Sequence, residues 1–344
     1  VIVKNGHFNT PTDLTGAAGL FGRAAPVVLE VGFGDGRFLS HLGRTHPEWN
    51  LLGAEISLGS VWRTYRRMKR DGIRHVRLYK GNAGFIVRDV VGHGTLSRVY
   101  VNFPDPWPRK KQWKNRLLQP DFFRTLHARL AAGGHLELTT DHPGYFEYAL
   151  VSAARSECFS AQEGAPPEAA LQTKYAQKWL GQGKPIFHAK FRPIEGANLA
   201  AAHTDAPLIQ KIPMQHALLS GRLPAHPTFE KQVHAFSGGH VIMLEVFRKI
   251  TAAGANAAAD PAGDSASDSA AEHDQDSLLF KVVTEEPDLR QELLIQAWQR
   301  TPNTVHVSLQ GFGEPLSTPA VREAVRAVTL WLETQGLAVQ DAWI

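Results

Sequence analysis

One cysteine, Cys158, stands in 344 residues, and methionine occurs only three times. A lone thiol excludes an internal disulfide framework and predicts a reducing compartment. No apolar run approaches the length of a membrane span. The opening Val-Ile-Val-Lys-Asn-Gly-His lacks the basic-then-apolar pattern of a secretory signal. The expectation is a soluble, cytoplasmic protein. Sixteen histidines are present, but in neither His-Glu-x-x-His nor clustered Cys/His spacing, so no metal site is expected. No Gly-x-Ser-x-Gly elbow occurs, which removes one common nucleophile turn. Excess charge of one sign is also scarce. The formal net charge is only +4 despite a pI of about 9.1, so any polyanion-binding signal has to be local. Residues 251–277 contain no lysine or arginine and are rich in Ala, Asp and Ser, the composition of a disordered acidic linker.

Alternating strand and helix patterns fill the first half of the chain. Residues 26–31, Pro-Val-Val-Leu-Glu-Val, read as a buried strand that runs into Gly32-Phe-Gly-Asp-Gly36 and then a helix. Glycines permit positive φ and close approach of a ligand to the backbone. A second strand, 49–55, ends on Glu55, placed to accept hydrogen bonds from a ribose diol. The loop is Gly-x-Gly-x-Gly rather than the Gly-x-Gly-x-x-Gly of dinucleotide sites, and Glu30 precedes it. A carboxylate there repels a pyrophosphate and suits a cofactor carrying positive charge. S-adenosylmethionine, with its sulfonium and ammonium, is favoured over a nicotinamide dinucleotide. A third strand over 73–79 leads to Asn82, which could bond an adenine edge or simply close an ordinary turn. A fourth leads to Asp105, and a fifth over 135–140 ends at Asp141. Glycines 133 and 134 are expected to end the helix before that fifth strand. Five polar residues thus sit at the carboxyl ends of five strands, where parallel, doubly wound sheets bind ligands.

The densest signal is the stretch from Val99 to Arg116. An apolar strand stops at Pro104, and Pro104, Pro106 and Pro108 bracket Asp105 and Trp107. Prolines fix φ and stiffen a loop. A basic run follows, Arg109, Lys110, Lys111, Lys114 and Arg116, suited to phosphate contacts. A helix over 61–70 carries Arg63, Arg66, Arg67 and Arg70 at three- and four-residue spacing, on one side.

These residues resemble the tRNA (guanine-N7-)-methyltransferase family. The likeness is carried by Leu29-Glu-Val-Gly-Phe-Gly34, Gly53-Ala-Glu55, Asn102-Phe-Pro-Asp-Pro-Trp107 with its basic tail, Thr140-Asp141 and Thr173-Lys174-Tyr175, in family order over roughly residues 26–193. The resemblance implies a class I methyltransferase fold with a mostly parallel seven-stranded sheet. It implies S-adenosyl-L-methionine as cofactor, bound by Glu30, Gly32, Gly34, Glu55, Asn82 and Asp105. It makes Asp105 the catalytic residue, with Arg109, Asp141, Thr173 and Lys174 on the substrate. The implied product is 7-methylguanosine in the tRNA variable loop, usually at position 46. Three departures stand out. Arg109 replaces a typical lysine, Gln112-Trp113-Lys114-Asn115-Arg116 replaces a His-His-Lys-Arg-Arg run, and Ala176 replaces a glutamate. Alternative readings are a class I methyltransferase with another substrate, or a non-catalytic RNA-binding protein that keeps the fold.

The expected domain plan is an N-terminal extension (1–25), a methyltransferase domain (26–193), a connecting segment (194–250), the acidic linker (251–277) and a small α/β C-terminal domain (278–344). In the last, strands are expected over 278–283 and 304–309 and helices over 288–300 and 319–335, because Leu289, Leu293 and Ala297, and Val321, Val325, Val328 and Leu332, form apolar stripes.

Overall fold

The computed structural model describes residues 2–3, 18–197, 216–248, 276–312 and 315–343. The chain divides into two units, Val1–Ile209 and Gln210–Ile344. Most of the expected acidic linker, residues 251–275, lies outside the described residues.

The first unit contains β1 (Ile2–Val3), α1 (Ala18–Phe21), β2 (Val27–Val31), α2 (Arg37–Thr45), β3 (Asn50–Glu55), α3 (Leu58–Arg70), β4 (Val76–Lys80) and α4 (Ala83–Phe85), which continues into a π turn, Ile86–Val90. Then follow β5 (Leu96–Asn102), a 3₁₀ turn (Lys110–Asn115), α5 (Pro120–Arg129), β6 (Leu130–Thr140), α6 (Pro143–Ser156), β7 (Phe159–Glu163), α7 (Glu168–Leu171), α8 (Lys174–Leu180) and β8 (Phe187–Pro193). The strands form one sheet in the order β1-β4-β3-β2-β5-β6-β8-β7. Every neighbouring pair up to β6 is parallel, and β8 runs antiparallel to both β6 and β7. The sheet is therefore mixed, and β1 adds an eighth strand from the segment expected to be an irregular extension.

The central strands are near-continuous apolar runs because helices cover both faces. Val28, Leu29, Leu51, Leu52, Leu78, Val99, Val101, Leu136 and Leu138 are fully buried, each contributing about 1.5–3 kcal/mol of hydrophobic stabilisation. Phe38, Leu39 and Leu42 of α2 join Val61 and Met68 of α3 over Val28, Leu51 and Leu78. Ser57 caps α3, its side chain accepting from Ser60 N, and Pro120 and Pro143 open α5 and α6. Gly133 and Gly134 do not end α5 as expected. They lie inside β6, where a Cβ on Gly134 would stand 2.7 Å from Leu96 O. The glycine lets β5 and β6 approach closely.

The second unit corrects the sequence-based plan. It is a seven-stranded sheet in the order β10-β11-β12-β13-β14-β9-β15. Its elements are β9 (His216–Ser220), β10 (Gln232–Phe236), β11 (Gly239–Arg248), β12 (Ser277–Glu286), β13 (Leu289–Thr301), β14 (Thr304–Leu309), α9 (Pro319–Thr334) and β15 (Ala338–Trp343). Every pairing is antiparallel, so this is a sheet with one helix rather than an α/β alternation. Residues 194–250, expected to connect, supply β9, β10 and β11. The expected helix over 288–300 is β13. Along it Leu289, Gln291, Leu293, Ile295 and Ala297 are buried, while Arg290 and Glu292 are exposed. A spacing of four satisfies a period of 2 as well as 3.6, so the stripe alone could not separate strand from helix. Helix α9 does form, with Val321, Val325, Val328 and Leu332 fully buried, and its Trp331 ring meets Phe280 at 5.3 Å.

Candidate functional site

The strand order of the first unit reverses between β2 and β5, and such a switch point opens a crevice at the strand carboxyl ends. Glu30 lies near the end of β2 and is 2% exposed. Burial, chiefly, pushes its carboxyl up to about 8; Glu55 and Asp35 push the same way, and the amide of Asn102 pulls back. Even so, neither Glu30 Oε2 nor Asn102 Nδ2 completes a hydrogen bond. An unpartnered buried carboxylate oxygen among other acids fits a cationic ligand group and disfavours a pyrophosphate. Gly32, Gly34 and Gly36 all have positive φ, and a Cβ on Gly32 would meet nothing within 4 Å. Glu55, at the end of β3, accepts from Gly34 N at 3.0 Å and from Ser57 N at 2.8 Å. Each oxygen keeps a lone pair for a ribose hydroxyl. Asn82, beyond β4, is exposed and caps α4 by accepting from Gly84 N at 2.8 Å. The residues present therefore suit S-adenosylmethionine: Glu30 could hold a cationic group and Glu55 a hydroxyl pair.

Past β5 the chain enters the proline-rich loop. Phe103 and Trp107 both take positive φ, 51° and 42°. Such backbone costs of order 1–3 kcal/mol per bulky residue and persists only where its surroundings hold it. Phe103 N donates to Thr139 O at 2.7 Å. Asp105 is exposed at the strand end, close enough to Tyr145 to help push its phenol up, although burial is the larger cause.

The sequence places Arg116 among the phosphate-binding bases, and the structure corrects this. Arg116 is 3% exposed. Its Nε donates to Pro106 O at 2.9 Å, Nη2 to Trp107 O at 3.3 Å and Nη1 to Gly144 O at 3.4 Å. Its guanidinium lies 4.6 Å from the Tyr148 ring centroid, 4.8 Å from Trp113 and 5.5 Å from Tyr145. The other four members of the run, Arg109, Lys110, Lys111 and Lys114, are exposed. The basic face of α3 is also partly committed. Arg67 donates to Asp35 O at 2.9 Å, steadying the glycine loop, and Arg70 donates to Asp71 at 2.9 Å.

Of the remaining candidates, Asp141 follows β6 and faces Lys184 Nζ at 3.8 Å. Lys184 itself sits 3.6 Å from the Trp179 ring centroid. Thr173 caps α8, its hydroxyl accepting from Ala176 N at 3.2 Å, and Lys174 is exposed. Ala176, where the resemblance expects a glutamate, is fully buried. The described structure thus puts Glu30, Glu55, Asn82, Asp105 and Asp141 at or just past the carboxyl ends of β2 to β6, while Thr173 and Lys174 come from the α7–α8 segment. Two residues outside the expected site set also shape it: Asn102, quoted only as part of the proline motif, neighbours Glu30, and Arg67, expected only on a basic helix face, holds Asp35 O. A polar side chain closing an otherwise apolar strand was the available signal for Asn102.

Comparison with known proteins extends this picture. A family model described as "Putative methyltransferase" matches residues 24–189. A tRNA (guanine-N(7)-)-methyltransferase from Thermus thermophilus is 43% identical over 94% of this chain and 94% of its own. Proteins of the same name from Deinococcus radiodurans and Thermotoga maritima are 39% and 28% identical, covering 92% of this chain in each case and 91% and 92% of theirs. The likeness therefore runs past residue 193 and includes the second unit. This chain belongs to the tRNA (guanine-N(7)-)-methyltransferase family.

Proposed function

We propose that the protein transfers a methyl group from S-adenosyl-L-methionine to N7 of a guanine in tRNA, at position 46 of the variable loop. The observation that carries this reading is the placement of Asp105. A stiff loop presents it just past β5, the strand next to β2 at the sheet's switch point, and β5 ends on Asn102, which neighbours the Glu30 carboxyl. The cofactor supplies the methyl on a sulfonium. Glu30 holds its cationic end, the backbone at Gly32 and Gly34 allows close approach, Glu55 accepts from the ribose, and Asn82 borders the base.

Guanine N7 has an in-plane lone pair and needs no general base. The protein's contribution is therefore alignment and charge placement. Asp105 accepts from guanine N1–H and N2–H, which adenine does not offer, and balances the positive charge on the methylated base. Trp107 or Trp113 gives the base a stacking surface, which favours its extrusion from the folded tRNA. Arg109, Asp141, Thr173 and Lys174 contact the RNA around it. A tRNA substrate places the work in the cytoplasm.

The test is labelled-methyl transfer to unmodified tRNA transcripts, with nucleoside analysis of the product. Wild type is expected to form 7-methylguanosine, and Asp105→Ala to slow it by about 10²–10³-fold with cofactor affinity largely kept. Cofactor binding without methylation of any tRNA would sink the proposal and leave the RNA-binding alternative.

A further inference from the structure

A buried guanidinium needs an acceptor for its charge, and among the described residues no carboxylate pairs with Arg116. Its acceptors are carbonyls, and two of them belong to the catalytic loop itself: Pro106 O and Trp107 O, directly after Asp105. The third, Gly144 O, lies at the start of α6 and anchors the group from the scaffold side. Trp113, Tyr145 and Tyr148 surround the guanidinium, which adds cation–π attraction and restricts water. The loop that it grips contains Trp107 at φ 42°, a conformation that a bulky residue does not hold unaided.

We infer that Arg116 is a positioning residue for the reaction: its guanidinium fixes the Pro106–Trp107 backbone and so sets where Asp105 meets the guanine. The inference rests on the role proposed for Asp105. It also assigns Arg116 a different task from its exposed neighbours Arg109, Lys110, Lys111 and Lys114. They are free to meet phosphates, whereas Arg116 is 3% exposed and already engaged. Lysine cannot replace it. A single ammonium on a flexible stem cannot reproduce a planar fork that reaches three carbonyls.

Arg116→Lys and Arg116→Gln separate this from a phosphate contact and from a merely structural role. The full chain is compared with wild type in kcat, in tRNA affinity over a range of salt, and in the ¹⁹F spectrum of 5-fluorotryptophan-labelled protein. The Trp107 resonance is assigned with Trp107→Phe. The lysine variant keeps charge and length, so a folded protein is available where the neutral one does not fold. The expected result is a kcat loss of about 10²-fold, tRNA affinity and its salt dependence unchanged, and a displaced Trp107 resonance, with thermal midpoints above the assay temperature. Weakened tRNA binding with a shallower salt slope and unchanged kcat would overturn it in favour of a phosphate contact. An unmoved Trp107 resonance would overturn it outright. If wild type forms no 7-methylguanosine, the proposed function fails, and the Trp107 resonance still decides whether Arg116 holds the loop.

Discussion

Glu30 shows how one residue links the crevice to pH. Its carboxyl titrates at about 8 in the folded chain against an ordinary 4.5, mainly because it is buried. The folded state therefore holds this proton more tightly than the unfolded one. The resulting stabilisation is complete below about pH 4.5 and is lost as pH rises through about 8, by at most about 1.4 kcal/mol per pH unit. The ligand-free wild type is expected to lose thermal midpoint over that window, and Glu30→Gln to lose less. Equal slopes in melting scans would show that Glu30 is ionised throughout. A cationic ligand reverses the preference. S-adenosylmethionine should bind more tightly as pH approaches 8 and release a proton, detectable by calorimetry in buffers of different ionisation enthalpy. Arg116 teaches a second lesson at this scale. Its basic neighbours made it look like a phosphate contact, but two of the three aromatic rings around it, Tyr145 and Tyr148, come from a different element, α6. Local composition shows only Trp113, the third ring.

At the scale of elements, the alternating core was readable because buried parallel strands are continuous apolar runs. Strands β2 to β5 and helices α2, α3 and α5 lie where the pattern puts them, within a few residues, while β6 starts at Leu130, ahead of the expected 135. Strand β13 was missed because its stripe fits two periods, and β9 because its five residues, His-Ala-Leu-Leu-Ser, are too few to show a period. The glycine loop was legible as a loop, but one of its reasons was not. Gly36 has φ +75°, and a Cβ there would stand 2.4 Å from Thr64 Cγ2. Thr64 in turn donates to Gly34 O at 3.1 Å. Gly36→Ala is expected to destabilise the first unit by about 2 kcal/mol. Adding Thr64→Ala removes the two nearest contacts, Cγ2 and Oγ1, and should return part of the loss, leaving its own Cβ at 2.9 Å and the backbone strain. Denaturant unfolding of both variants checks this, and strictly additive effects would mean that the two residues do not meet.

For the whole molecule, a net charge of +4 leaves tRNA affinity to local groups. With Arg116 buried and Arg67 held against Asp35, the exposed bases from Arg109 to Lys114, with exposed Arg66 on α3, are the phosphate ligands on the proposed function. Lys110→Gln and Lys111→Gln should each weaken binding to any tRNA alike and lower the slope of log affinity against log salt by about 1. An unchanged slope, measured by filter binding, would move the phosphate contacts elsewhere. Relatives match this chain in sequence over 94% and 92% of its length, so the likeness takes in the second unit.

The loop from Phe103 to Arg109 is already shaped before any RNA arrives. Three prolines narrow what that segment can do when unfolded, and Arg116 narrows it further once folded. Ordering it is thus a cost met during folding, not during encounter. Docking of the guanine should therefore show a small entropy penalty from this segment and a heat-capacity change set by the buried rings alone, so that the enzyme's speed depends little on waiting for its loop.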